Sequence, residues 1–207
     1  AGVSHRGILE NMLSGIFDCP IEKVNAFSFH DVLDIENVPF NIGLIVGPSG
    51  CGKSSILATF GKPKKFSWDA ASVIDSFDES LSVQEIADAL NSVGFGNIRA
   101  WMRPFSVLSN GEQFRAQCAR AILESGDLAL IDEFTSVVDR QVAKIACHAI
   151  QKHARRKNKR MIVASCHFDI IDWLQPDWIY DTAHHTFQWR ISVRPLGFAF
   201  GTAVFLP

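Results

Sequence analysis

Two kinds of apolar spacing alternate along the chain. Unbroken apolar runs stand at residues 42–46, 128–131 and 161–165, each bounded by polar or turn residues. Runs of this length without alternation predict strands buried on both faces, as in a parallel sheet. Elsewhere the apolar positions recur at helical spacing. Val83, Ile86, Ala87, Leu90 and Val93 predict one helix, stopped by Gly94. Residues 109–125 predict a second. Residues 139–156 predict a third, with Val142, Ile145, Ala146 and Ala149 on its buried face. Short helices are expected over residues 53–60 and within 98–107. Near the start, Ile8, Leu9, Met12, Leu13, Ile16 and Phe17 fit one helix face, and residues 27–35 read as one or two strands. Strands alternating with helices predict an α/β fold with a mainly parallel core sheet. Antiparallel strands are expected before it, and residues 66–125 or so form a helical subdomain inserted in it. The short aromatic runs after residue 170 follow neither period and yield no prediction.

At 207 residues the chain fits one domain, residues 1–207. Hydrophobic content of 47% and charged content of 20% are ordinary for a globular protein. The net charge of −2 argues against polyanion binding through bulk charge. Residues 152–160 form the densest basic run, Lys-His-Ala-Arg-Arg-Lys-Asn-Lys-Arg. Cations suit the negative pole of a helix end, and a nucleic-acid patch is the alternative reading. The five cysteines form no CxxC pair, which predicts free thiols in a reducing cytosol and a cytoplasmic location. No leader pattern is visible, and no apolar stretch reaches the ~20 residues of a membrane-spanning helix.

The first apolar run feeds Gly47-Pro48-Ser49-Gly50-Cys51-Gly52-Lys53-Ser54. A strand, then glycines, then Lys-Ser opening a helix is a phosphate-binding loop. Glycine lets the backbone close around phosphate oxygens, and successive N–H groups with the helix N-terminus supply positive potential. Lys53 adds a full charge near the β/γ-phosphates, and the Ser54 hydroxyl is a hard ligand for Mg²⁺. Asp132 and Glu133 end the second apolar run. The first is placed to hold Mg²⁺ through water, the second to orient or deprotonate an attacking water. Leu108-Ser109-Asn110-Gly111-Glu112-Gln113 precedes a helix, and Ser109 with Glu112 fits a capping box. Ser136-Val137-Val138-Asp139 follows the carboxylates, and His167 follows the third run.

In this order the motifs resemble those of ATP-binding cassette (ABC) ATPases within the P-loop NTPase superfamily. They stand where that family has Walker A, the signature, Walker B with its glutamate, the D-loop and the switch histidine. The resemblance covers residues 27–170 or so. It implies ATP and Mg²⁺ as ligands, Mg²⁺ held by Ser54 and Asp132, and hydrolysis supported by Lys53, Glu133 and His167. It implies nucleotide contacts from residues 47–55, including Ser55, and from Ser109, Gly111, Glu112 and Asp139. It also implies an adenine-stacking aromatic ahead of the phosphate loop, Phe27 in preference to Phe29. With one phosphate loop and one signature per chain, it implies an ATP-dependent head-to-tail homodimer acting on a further, unidentified protein partner. Asn110 and Glu112 depart from the family's commoner Gly and Gln. The stretch between Lys53 and Ser109 lacks a glutamine at a strand end, which sets the chain apart from transporter members. Residues 108–115, 132–140 and 172–178 are similar to small stand-alone prokaryotic or phage ABC ATPases found with a GNAT-type acetyltransferase.

Overall fold

The computed structural model describes residues 38–190. The helix face expected over residues 8–17, the strands over 27–35 and the adenine-stacking choice at Phe27 lie outside the described residues.

Five strands form one sheet in the order β2-β3-β1-β4-β5. They are β1 (Ile42–Val46), β2 (Leu128–Ile131), β3 (Arg160–Ser165), β4 (Trp178–Asp181) and β5 (Thr186–Trp189). The first four are mutually parallel, and β5 returns antiparallel to β4. In β1, all five residues are buried, as its unbroken apolar run requires of a central strand covered on both faces. Val46 pairs with Ser165 of β3 and with Asp181 of β4, so the strands run out together along one edge. The phosphate-loop motif, Asp132-Glu133 and His167 therefore leave the sheet on the same side. Ligands of open α/β sheets bind at that carboxyl edge.

Helix α1 (Lys53–Thr59) follows the loop. Helices α2 (Val83–Ser92), α3 (Ile98–Trp101) and α4 (Asn110–Glu124) follow between α1 and β2. Helix α5 (Arg140–Arg156) links β2 to β3, and α6 (Ile170–Leu174) precedes β4. The buried face of α5 differs from the predicted one. Ala143, Ala146, Cys147, Ile150 and Ala154 are buried, whereas Ile145 is 60% exposed. Both stripes share Ala146 and have helical spacing. The small side chains win because α5 packs against α2, α4 and α6 at once, and close approach on several sides favours alanine.

Arg120 of α4 fastens that helix to the chain leaving α1. Its guanidinium lies 4.7 Å from the Phe66 ring, 4.8 Å from Trp68 and 5.8 Å from Phe77. It also donates to the Ser67 carbonyl (2.5 Å) and to Glu124 (2.9 Å). Trp68 stacks on Phe105 at 4.1 Å. A cation satisfied by a carboxylate, a carbonyl and aromatic faces is well placed away from water.

Candidate functional site

The phosphate-loop motif adopts the geometry that its residues predict. Gly47, Gly50 and Gly52 have φ of 154°, 83° and 73°. At Gly50 and Gly52 a Cβ would meet nothing within 4 Å, so the backbone conformation and not space calls for glycine there. Gly47 is different, because its Cβ would stand 2.0 Å from Thr182 Oγ1. Thr182, just past β4, donates from both N and Oγ1 to the Val46 carbonyl (2.8 and 3.3 Å). Thus β4 braces the start of the loop. Gly52 caps α1 without a side-chain acceptor, and the first turn holds no acid. The leading N–H groups of α1 are left to whatever the loop encloses. Lys53 Nζ donates to the Pro48 carbonyl at 2.5 Å, across the loop.

The turn after β2 is held tightly. Glu133 and Thr135 both have left-handed backbones, φ 50° and 66°. Phe134 N donates to the Ala164 carbonyl (2.8 Å), and Ser165 Oγ donates to the Phe134 carbonyl (2.8 Å). Ser165 Oγ in turn accepts from His167 N at 3.1 Å. Thr135 Oγ1 lies 3.3 Å from His167 Nδ1. Asp132 is half-buried and Glu133 exposed, and Asp132 Oδ1 accepts from Glu133 N. Burial pushes the His167 pKa down, the Arg140 cation pushes it further, and Asp169 works against both. Arg140 and Asp169 form an ion pair beside the ring.

The Ser109 turn is a capping box. Ser109 Oγ accepts from Glu112 N (3.4 Å), and the Glu112 carboxylate accepts from Ser109 N (3.0 Å) and Oγ (2.9 Å). Glu112 is therefore folded back on its own helix end. Asp139 caps α5, accepting from Gln141 N and Val142 N. The two caps meet: Ser109, Gly111, Val137 and Asp139 wall one cavity of about 380 Å³ with Arg115 and Val142. A Cβ on Gly111 would stand 3.0 Å from Val142, so glycine lets α5 approach the turn. A larger groove of about 1050 Å³ runs from Lys62 and Lys65 past Gln113 to Asp132 and Glu133.

No protein-family model matches the chain. Among curated proteins it is 32% identical over 128 residues to the mRNA export factor elf1 of Schizosaccharomyces pombe, covering 49% of this chain and 12% of that protein. It is 33% identical over 126 residues to the zinc import ATP-binding protein ZnuC of Histophilus somni, covering 49% of this chain and 47% of that one. The chain thus matches about half the length of its bacterial relatives and a small part of the yeast one. The dimeric bacterial ABC transporter cassette MJ0796 has a TM-score of 0.53 and 16% identity, with coverage of 68% of this chain and 80% of that. The cassette cbiO1 of Clostridium perfringens gives 0.54 and 18%, with coverage of 68% and 72%. The chain shares the fold of ABC transporter cassettes.

The sequence motifs gather at two places in space. The phosphate-loop motif, Asp132-Glu133 and His167 share the sheet edge, with His167 tied through Thr135 to the turn after β2. Ser109, Gly111, Val138 and Asp139 share the smaller cavity, and Asn110, Gln113, Ser136 and Val137 also line the groove beside Asp132 and Glu133. Three residues of the site carried no sequence signal. Thr135 reads as one more turn residue, Ser165 as the polar end of a strand, and Thr182 lies in the segment without a period. Their roles come from contacts 31 to 136 positions apart in the chain. The cysteines at the site, Cys51 and Cys166, are free and exposed. In the basic run, Arg155 is bonded to Asp177 (3.0 Å) and to the Gln175 carbonyl, and Lys159 to the Gly126 carbonyl. Those two cations serve the fold, while Lys152, Arg156, Lys157 and Arg160 are exposed. Among the described residues no helix is long and apolar enough to cross a membrane.

Proposed function

We propose that this cassette binds Mg-ATP, closes onto a second copy of itself head to tail, and reopens when the ATP is hydrolysed. Residues 47–55 take the triphosphate, with Lys53 on the β/γ-phosphates. Ser54 and Asp132 offer hard oxygen donors on one edge of the sheet, a donor set that suits Mg²⁺. Bound there, the ion supplies neutralisation of phosphate charge. Glu133 acts on the attacking water as base, and His167 contacts the transferring phosphoryl group. Ser109 and Gly111 meet the γ-phosphate held by the other copy, with Asp139 beside them.

The observation that carries this reading is the separation of the two half-sites. The phosphate loop and both carboxylates lie on the sheet edge, while Ser109 and Gly111 wall another cavity with Val138 and Asp139, and Asn110, Gln113, Ser136 and Val137 line the groove beside the carboxylates. A two-fold pairing of copies joins each to its complement. Dimeric MJ0796 supports the same arrangement by its fold.

The test is Glu133→Gln. Loss of a general base lowers turnover by about 10²–10⁴. With MgATP the variant is expected to run as a stable dimer in light scattering, and without nucleotide as a monomer. Undiminished turnover, or a monomer at saturating ATP, overturns the mechanism. A second reading, an ATP-binding subunit of an importer, is favoured by the names of the bacterial relatives. It predicts that a membrane protein is retained by the ATP-trapped variant.

A further inference from the structure

The Thr135 backbone is the least expected feature of the catalytic turn. A β-branched residue at φ 66° is an outlier for L-amino acids, and this one is completely buried. Such conformations persist where surrounding bonds over-determine them, and they gather at functional sites. Here the bonds are on hand: Phe134 on either side of its peptide is held by Ala164 and Ser165. The strained turn delivers one polar atom, Thr135 Oγ1, to one partner, His167 Nδ1.

That contact has two possible polarities, and hydrogen-bond accounting separates them. If Nδ1 carried the proton, it would donate to Oγ1, and the hydroxyl proton would need another acceptor. Among the described residues Thr135 Oγ1 has no other partner, and its side chain is closed to solvent. A buried hydroxyl proton without an acceptor is costly. If Nδ1 is bare, the hydroxyl donates to it and nothing is left unpaired. Cys166 Sγ, at 3.9 Å from both ring nitrogens, favours neither form.

We infer that Thr135 is a positioning residue that fixes His167 as the Nε2–H tautomer, so that the ring presents a neutral N–H donor from Nε2. The ring is neutral near pH 7 because burial and Arg140 disfavour its charged form more than Asp169 favours it. A histidine held in one tautomer by its second nitrogen is a known way of aiming the first. The consequence for turnover rests on the proposed ATPase reading. The tautomer itself does not.

The experiment is long-range ¹H–¹⁵N NMR of the imidazole rings in the full chain at neutral pH. The His167 signals are assigned from their loss in His167→Gln. Wild type is expected to show a pyridine-type Nδ1 and a protonated Nε2. Thr135→Val keeps the branched shape and deletes the hydroxyl, so a sizeable Nδ1–H population should appear. With it kcat falls about tenfold at unchanged KM for ATP, the scale of one hydrogen bond. Thr135→Ser should restore both the tautomer and the rate. An Nδ1–H ring in wild type overturns the inference without any variant, and so does an unchanged Nε2–H ring in Thr135→Val. If wild type holds the Nε2–H form but hydrolyses no ATP, the inference stands and the ATPase reading fails.

Discussion

Gly43, in the middle of β1, offers a test of how the sheet supports the loop. A Cβ at this position would stand 2.1, 2.3 and 2.7 Å from three atoms of the Trp178 indole, its register partner on β4. The indole has nowhere to go. It is fully buried and ringed by Phe40 at 5.8 Å, Phe60 at 6.1 Å and Phe187 at 5.8 Å between centroids. Overpacking of this kind costs about 1–3 kcal/mol, and so close an approach argues for the top of that range. Replacing Gly by Ala returns about 0.4–1 kcal/mol by narrowing the unfolded ensemble. The net expectation for Gly43→Ala is a loss of about 2 kcal/mol, or ~4–8 °C in Tm for a chain of this size. Urea unfolding followed by circular dichroism measures it, with the m-value unchanged. The decisive measurement is the cycle with Trp178→Leu. The smaller side chain vacates the space, and it also removes an indole N–H that has no partner among the described residues. The double variant should therefore be more stable than the sum of the two singles by about 1–3 kcal/mol. Because β4 carries Thr182 to the first loop glycine, ATP affinity should fall in Gly43→Ala and recover in the double variant. Gly43→Ala as stable as wild type, or strict additivity in the cycle, would refute the packing argument.

Two further outcomes are expected besides those for Glu133 and Thr135. His153 is buried, its Nδ1 unpartnered among the described residues, and burial, then Arg156 and Lys157, lower its pKa below the ordinary 6.5, against the pull of Asp88. The unfolded chain then binds a proton more readily than the native one, so stability is complete above pH 6.5 and declines as the pH falls below it. His153→Leu should flatten that part of the stability–pH profile, and an unchanged slope would count against the assignment. Among the described cysteines, Cys51 and Cys166 should react with maleimide in the native protein at neutral pH. Cys118 and Cys147 should react only on unfolding, since burial raises both thiols, Cys147 to about 12. Mass mapping of the labelled peptides distinguishes the two sets, and native labelling of Cys118 would contradict the packing of α4 on α5.

The sequence by itself determined whatever is encoded by neighbours in the chain. The three apolar runs became β1, β2 and β3, because a strand covered on both faces has no polar position to spare. Ser109 and Glu112 made their capping box, and Gly50 and Gly52 took left-handed backbones, because those choices are settled within a turn. Tertiary structure alone decided what depends on contacts between distant segments. It chose the alanine face of α5 over the stripe holding Ile145, since close packing against three helices outweighs the larger side chain's preference for burial. It ordered the aromatic stretch after residue 170 into α6 and the β4–β5 hairpin, where Asp177 takes the N–H groups of Asn41 and Ile42, more than a hundred residues away in the chain. It also set Thr135 against His167. A hydroxyl and an imidazole 32 positions apart share no local pattern, and only the sheet that aligns the ends of β2 and β3 brings them within a hydrogen bond.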